Sequence, residues 1–154
     1  MSNFTGRYRY SLDDKNRVNI PAKYRKLLTP EAQEMFAVTR GIEECLYVYP
    51  FDEWQRLIAR LRGLPMNKAD NRDFQRKLAS LADEMKYDRQ GRIILPPWLL
   101  EHAKIKKDVI ILGVLDRIEI WDPQTYEEFD QSRKPFEEVA ENILFDNPDT
   151  RKEE

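Results

Sequence analysis

Alternating apolar and polar positions, cut by turn residues, occur twice along this chain in nearly the same form. The segment GRYRYSLDD alternates in part and predicts a strand. Asp14-Lys15-Asn16 is turn-like, and VNI continues as a short strand with Val18 and Ile20 on one face. LDDKNRVNIP returns 75 positions later as YDRQGRIILP. Asp13, Arg17 and Pro21 recur as Asp88, Arg92 and Pro96, with Ile93 and Leu95 on the apolar face. Asn16 aligns with Gly91. These residue types best tolerate positive φ, so each copy predicts a left-handed turn.

Proline follows both copies and suits the first turn of a helix, which PAKYRKLL and PPWLLEHA supply. FAVTRG and CLYVYP predict one hairpin; VIILGV and RIEIWD predict another, bent at Leu115-Asp116. Gly41 aligns with Gly113. Each hairpin leads into a longer helix, the first with Asp52 as predicted N-cap, the second with Asp122 as cap and Pro123 behind it. Leu64-Pro65-Met66-Asn67 breaks the first helix. NRDFQRKLASLADEM predicts another, with Phe74, Leu78 and Leu81 at helical spacing. Trp54, Trp98 and Trp121 lie on apolar faces and are predicted core.

The chain therefore divides into a repeat over 5–52, a helical bridge over 53–80, a second repeat over 81–124, and an acidic C-terminal helix and tail over 125–154, the end of which reads as frayed. Four short strands per copy make a weak sheet with open edges. The predicted fold is mixed, mainly β with flanking helices: a pseudo-symmetric β-barrel in which the two halves close on each other and remove those edges.

Composition narrows the class. Of 154 residues, 41% are apolar and 35% charged. One cysteine cannot form an internal disulfide, no run approaches the ~18 apolar residues of a membrane span, and the N-terminus has no signal-peptide run. A soluble cytoplasmic protein without membrane contact is expected. Net charge is −2, but its distribution is uneven. Residues 1–28 hold seven cations against two acids, and residues 116–154 hold 13 acids against five bases. Local potential governs attraction to a polyanion, so the basic head admits either a nucleic-acid partner or a plain solvated surface.

Enzymatic chemistry finds no constellation. His102 and Cys45 cannot make a zinc cluster, nothing in the sequence joins them as a nucleophile pair, and no phosphate-binding glycine loop is present. His102 reads as a helix-end surface residue. No metal, cofactor, small-molecule substrate or catalysis is expected. Asp13 and Asp88 each stand four residues before an arginine, which favours the ionised carboxylate and opposes general-acid use. One such pair reads as a turn salt bridge. Two, with Lys15 and Arg89 beside them, make a paired arginine display competitive. Tyr8 and Tyr10, alternating with Arg7 and Arg9, fit strand packing better than base stacking.

Phe4, Gly6, LDDKNRVNIPAKYR, YPFDEW, DRQGRIILPPWL and VIILGVLDRIEIWD together resemble the MraZ family of bacterial transcriptional regulators, whose members have two AbrB-like halves. The likeness covers about residues 4 to 128, with Asn16 where the family usually has Gly. It implies a swapped-hairpin (double-split) β-barrel and ring-like homo-oligomers in the nucleoid. It also implies binding of double-stranded DNA at direct repeats before a cell-division and cell-wall gene cluster, usually as a repressor. Carried onto this chain, the resemblance makes Arg17 and Arg92 exposed turn residues that contact bases, oriented by Asp13 and Asp88. Lys15, Arg7, Lys86 and Arg89 become phosphate contacts. A non-catalytic, antitoxin-like scaffold of the same fold is the alternative.

Overall fold

The computed structural model describes residues 3–145. Its first half runs β1 (Arg7–Ser11), β2 (Arg17–Asn19), α1 (Ala22–Arg25), β3 (Met35–Arg40), β4 (Leu46–Pro50), α2 (Phe51–Arg62) and α3 (Ala69–Ser80). The second runs β5 (Asp83–Lys86), β6 (Arg92–Ile94), α4 (Pro97–His102), β7 (Asp108–Val114), β8 (Arg117–Trp121), α5 (Pro123–Ser132) and α6 (Phe136–Leu144). The two halves repeat one order of elements, so β1 to β4 correspond to β5 to β8.

Six strands form one antiparallel sheet in the order β1-β7-β8-β4-β3-β5, which reads the same from either end once the halves are equated. Its outer pairs join different halves: β1 lies on β7, and β5 on β3. The central pair, β4 with β8, also crosses between halves. β2 and β6 make a separate two-stranded ladder. Each half alone would hold a few short strands with bare edges, so neither can complete the sheet without the other.

The predicted closure into a barrel is not formed. β1 and β5 remain the edges of the six-stranded sheet, because the chain turns sharply after each and pairs its next strand elsewhere. Charge blunts these edges: Arg7 and Arg9 on β1, and Asp83, Glu84 and Lys86 on β5.

One face of the sheet meets β2, β6, α1 and α4 around Phe4, Val18, Tyr24, Phe36, Leu99 and Ile120, all at most 1% exposed. On the other face, α2 and α3 cover Ala37 with Trp54, Leu61 and Leu78, while α5 covers Trp121 with Tyr126 and Phe129. β3 is thus buried on both sides, and its run Phe36-Ala37-Val38-Thr39 is apolar but for one residue. That residue, Thr39, donates its hydroxyl to the Leu78 carbonyl at 2.8 Å.

Several local expectations change. Residues 83–86 are strand rather than the end of a helix: α3 stops at Ser80, and the open edge of β3 recruits Asp83–Lys86 despite their weak β propensity. Pro50, not Asp52, caps α2. Asp52 sits in the first turn, where Oδ2 accepts from the Thr29 hydroxyl at 3.0 Å. Asp122 does cap α5, accepting from the Thr125 N–H, with Pro123 directly behind it. Pro21 stands one place before α1, as its cap. Trp54 and Trp121 are core, but Trp98 is 47% exposed; α4 turns its indole outward to donate to the Leu81 carbonyl. Phe74 is 46% exposed, while Leu78 on the same helix is buried. His102 is half-buried, its ring 3.1 Å from the Glu43 carbonyl, rather than at the surface. The terminal NPDTRKEE, read as frayed, lies outside the described residues.

The aligned glycines have a packing cause. A Cβ on Gly113 would stand 2.5 Å from the Thr5 backbone nitrogen, and one on Gly41 would stand 2.6 Å from the Cys45 sulfur.

Candidate nucleic-acid interface

Each Asp–Arg element is a small self-bonded turn, and the two are built alike. Asp13 Oδ1 accepts from the backbone N–H groups of Lys15 (2.9 Å) and Arg17 (2.8 Å), while Oδ2 accepts from Arg17 Nε at 2.6 Å. Asp88 Oδ1 accepts from Gln90 and Arg92, both at 2.9 Å, and Oδ2 from Arg92 Nε at 2.9 Å. One carboxylate therefore shapes the loop and aims its arginine. The predicted left-handed residues are present, Asn16 at φ 59° and Gly91 at φ 78°. Gly91 is further constrained, because a Cβ there would meet the Arg25 guanidinium at 2.6 Å.

The turns are fastened side by side. The Asn16 carbonyl accepts from Leu95 N–H at 2.9 Å, and the Gly91 carbonyl from Ile20 N–H at 2.8 Å. β2 and β6 pair between them, and Arg92 Nη1 reaches Asp13 Oδ2 at 3.5 Å. Asp13 thus holds the arginines of both halves. Arg17 and Arg92 begin β2 and β6, and their side chains are 26% and 22% exposed. They are half-covered by the aspartates that hold them, not freely exposed as the sequence implied. Their Nε atoms are committed to carboxylates, and Arg92 Nη1 also faces Asp13; the Nη groups of Arg17 and Nη2 of Arg92 are left to meet phosphate or a guanine edge.

Of the other predicted contacts, Lys15 and Arg89 lie exposed within the turns, and Lys86 is exposed two residues before Asp88. Arg7 does not join them. It lies on β1 over the Tyr126 ring of α5, 5.3 Å from the centroid. Tyr8 and Tyr10 pack against the core, Tyr8 edge-on to Tyr24. Arg25, one of the seven cations of residues 1–28, does join the turns. It lies against Gly91, donates to the Ile20 carbonyl at 3.0 Å and sits over the Tyr87 ring. The second half has Leu100 at the corresponding place, so the cation beneath the turns is one-sided.

Hydrogen bonding lowers the Asp13 pKa, chiefly through the Arg17 N–H; partial desolvation opposes this, and the Arg17 guanidinium lowers it further. Asp88 is lowered in the same way by Arg92. A folded-state pKa below the unfolded value near ~3.9 gives stability that is complete above that value and is lost as pH falls through the folded one. Thermal unfolding followed from pH 7 to pH 2 should show the midpoint falling below about pH 4. An Asp13→Asn/Asp88→Asn variant should melt lower at pH 7 and change less across the acid range. An unchanged acid profile would show that the two carboxylates are not linked to folding.

Cys45 and His102 meet the same carbonyl: the Cys45 backbone N–H donates to Glu43 O at 2.8 Å, and the His102 ring lies 3.1 Å from it. Burial pushes the Cys45 thiol up, the reverse of what a reactive cysteine needs. Among the described residues no helix is long and apolar enough to cross a membrane.

A chain of two like halves that share one six-stranded antiparallel sheet, with flanking helices and two aspartate-held arginines side by side, is a repeat-built, mainly β protein. Within that class the chain belongs to the MraZ family. The family described as "MraZ protein, putative antitoxin-like" matches residues 3–77 and 78–147. The "Transcriptional regulator MraZ" of Caldanaerobacter subterraneus subsp. tengcongensis is 45% identical over 139 residues, covering 90% of this chain and 94% of its own. Proteins of that name from Natranaerobius thermophilus (44%) and Clostridium tetani (40%) cover 92% and 91% of this chain and 96% of their own.

Proposed function

We propose that this protein is a sequence-specific DNA-binding transcriptional regulator that reads duplex DNA through Arg17 and Arg92. The observation that carries this reading is the fastening of two like-built Asp–Arg turns side by side, with Asp13 hydrogen-bonded to Arg17 and ion-paired with Arg92. A turn salt bridge by itself needs no such pairing. Arginine suits base reading because its fork can bond guanine O6 and N7 together; lysine, a point charge, suits phosphate. Lys15, with Arg89 and Lys86, therefore positions the backbone, and Arg25 adds charge beneath the second turn. Arg7, stacked on Tyr126, serves the phosphates only where DNA extends toward α5.

The finer reading follows the family. The strand exchange between halves is of the swapped-hairpin (double-split) kind, in an open sheet rather than a closed barrel. The chain assembles into a ring-like homo-oligomer in the nucleoid, binds direct repeats ahead of a cell-division and cell-wall gene cluster, and represses it. The names of the curated relatives support transcriptional regulation in general.

Arg17→Ala and Arg92→Ala test the site. Each should weaken binding to the cognate duplex by about 1–3 kcal/mol and relax preference at one base. Arg17→Lys keeps the charge but loses the fork, so it should retain nonspecific, salt-sensitive binding and lose selectivity. Since both arginines are half-buried, unfolding midpoints are measured alongside. Normal operator binding by a folded alanine variant would remove that arginine from the interface. Duplex binding insensitive to salt and to both arginines would favour the antitoxin-like scaffold.

A further inference from the structure

We infer that α6 of one copy of this chain seats its apolar face in the groove beside α3 of a second copy, so that the oligomer is built head to tail. The inference rests on the homo-oligomer in the reading above and names its contact.

The repeat itself exposes the anomaly. In the first half, α2 leaves the sheet after β4 and α3 follows it, burying Leu78 and accepting the Thr39 hydroxyl bond. In the second half, α5 leaves after β8 and α6 follows it, yet α6 has no buried residue. It is nonetheless amphipathic. Phe136, Val139, Ala140, Ile143 and Leu144 fall at i, i+3, i+4, i+7 and i+8, the spacing of one apolar helix face. Phe136 is 82%, Ile143 68% and Leu144 72% exposed. A stripe of this size on a helix end marks an interaction surface.

The same chain carries a matching recess. A groove of about 730 Å³ runs along α3, lined by Ile42, Tyr47, Tyr49, Leu57, Phe74 and Leu78. An amphipathic helix laid in an apolar groove is a recurring recognition mode, read through anchors at i, i+3, i+4 and i+7. Charge favours this occupant. The polar side of α6 carries Glu137, Glu138 and Glu141, and the groove is rimmed by Arg40 and Lys77. The rim's one acid, Asp73, is already paired with Arg76 at 2.8 Å. None of the α6 residues lines the groove of its own chain.

Helix and groove are different patches, so the contact is heterologous. Each copy offers one of each, and the assembly propagates until a rotation closes it into a ring.

Light scattering on the full chain tests this. The wild-type chain should form a multi-chain assembly. Ile143→Asp on α6 and Phe74→Asp in the groove should each reduce the mass to that of one 18.5 kDa chain. Mixed one to one, the two variants retain one intact helix and one intact groove between them. They should therefore form a dimer and nothing larger. An isologous α6–α6 contact would leave Phe74→Asp assembled, and folding of α6 onto its own groove would leave the mixture monomeric; either result overturns the inference. Should an aspartate variant misfold by circular dichroism, charge reversal replaces it. Arg40→Glu with Lys77→Glu should abolish assembly, and adding Glu137→Lys, Glu138→Lys and Glu141→Lys to the same chain should restore it. Failure to restore would also overturn the contact. A monomeric wild type would overturn both this contact and the proposed oligomer. Assembly unaffected by every variant would overturn the contact alone. Binding to a duplex with one repeat reports separately on the arginine turns, and the monomeric variants should keep it.

Discussion

Several operator repeats in phase with the DNA helix should bind this protein about 10²–10⁴-fold more tightly than the same repeats offset by half a turn. The expectation begins with the small footprint of one chain. Both arginines start three-residue strands that pair with each other, Arg17 opposite Ile94 and Asn19 opposite Arg92. Along the ladder the two arginines are two residue steps apart, about 7 Å at ~3.3 Å per residue, close to two base-pair steps of ~3.4 Å. One repeat then receives few contacts, and its affinity should be modest. A homo-oligomer sets identical turn pairs at fixed separations, so the second repeat is met at high effective concentration. This gain needs repeats on one face of the duplex, with centres about 10–10.5 base pairs apart or a multiple of that. Titrating duplexes with one repeat, several in-phase repeats and several half-turn-offset repeats measures it. The offset duplex should bind close to the single-repeat value. Equal affinity for all three would show that the copies act independently and that the oligomer has no part in recognition.

Gly113→Ala should be the most destabilising single-methyl change in the chain, by about 3 kcal/mol, the upper part of the usual overpacking range. The obstruction is backbone. The new Cβ would lie 2.5 Å from Thr5 N and 2.7 Å from Phe4 C, with the Tyr24 hydroxyl also at 2.7 Å. This N-terminal segment is zipped onto β7 by Phe4 N to Leu115 O (2.7 Å), Leu115 N to Phe4 O (2.8 Å) and Gly113 N to Gly6 O (2.9 Å). It also carries Phe4, which is fully buried. Relieving the clash therefore unzips hydrogen bonds and lifts a core aromatic together. In a chain of this size the thermal midpoint should fall by roughly 6–12 °C. Gly63→Ala is the control: its Cβ would meet only the Arg60 carbonyl at 3.5 Å, and φ is −82°, so it should be neutral or stabilise by about 0.4–1 kcal/mol. Equal melting of Gly113→Ala and wild type would show that the N-terminal segment yields freely.

The site was legible to different depths. Asp13, Arg17, Asp88 and Arg92 could be picked out because the element occurs twice in register, and its turn chemistry is local. Every bond from an aspartate to its own turn spans four residues or fewer. The link from Arg92 to Asp13 joins residues 79 positions apart, and nothing in either segment announces it. Arg25 was missed for the same reason: its partners, Gly91 and Tyr87, belong to the other half. Arg7 shared the right charge and neighbourhood in sequence, but strand β1 carries it to α5.

What the sequence determined by itself is what depends on near neighbours. It set the left-handed turns at Asn16 and Gly91, the carboxylate-held arginines, the cap at Asp122, and the division into two like halves. The tertiary structure alone decided which strand completes which sheet. Strand preference depends on the neighbours a segment meets more than on its own residues, and the backbone of a free edge can pair with a segment of weak propensity. Asp83–Lys86, poor in strand formers, became β5 because β3 offered an edge there, while the outer edges of β1 and β5 stayed open. Whether an apolar helix face is buried was likewise settled by packing: α3 and α6 hold the same place in the repeat, yet only α3 found a surface on its own chain.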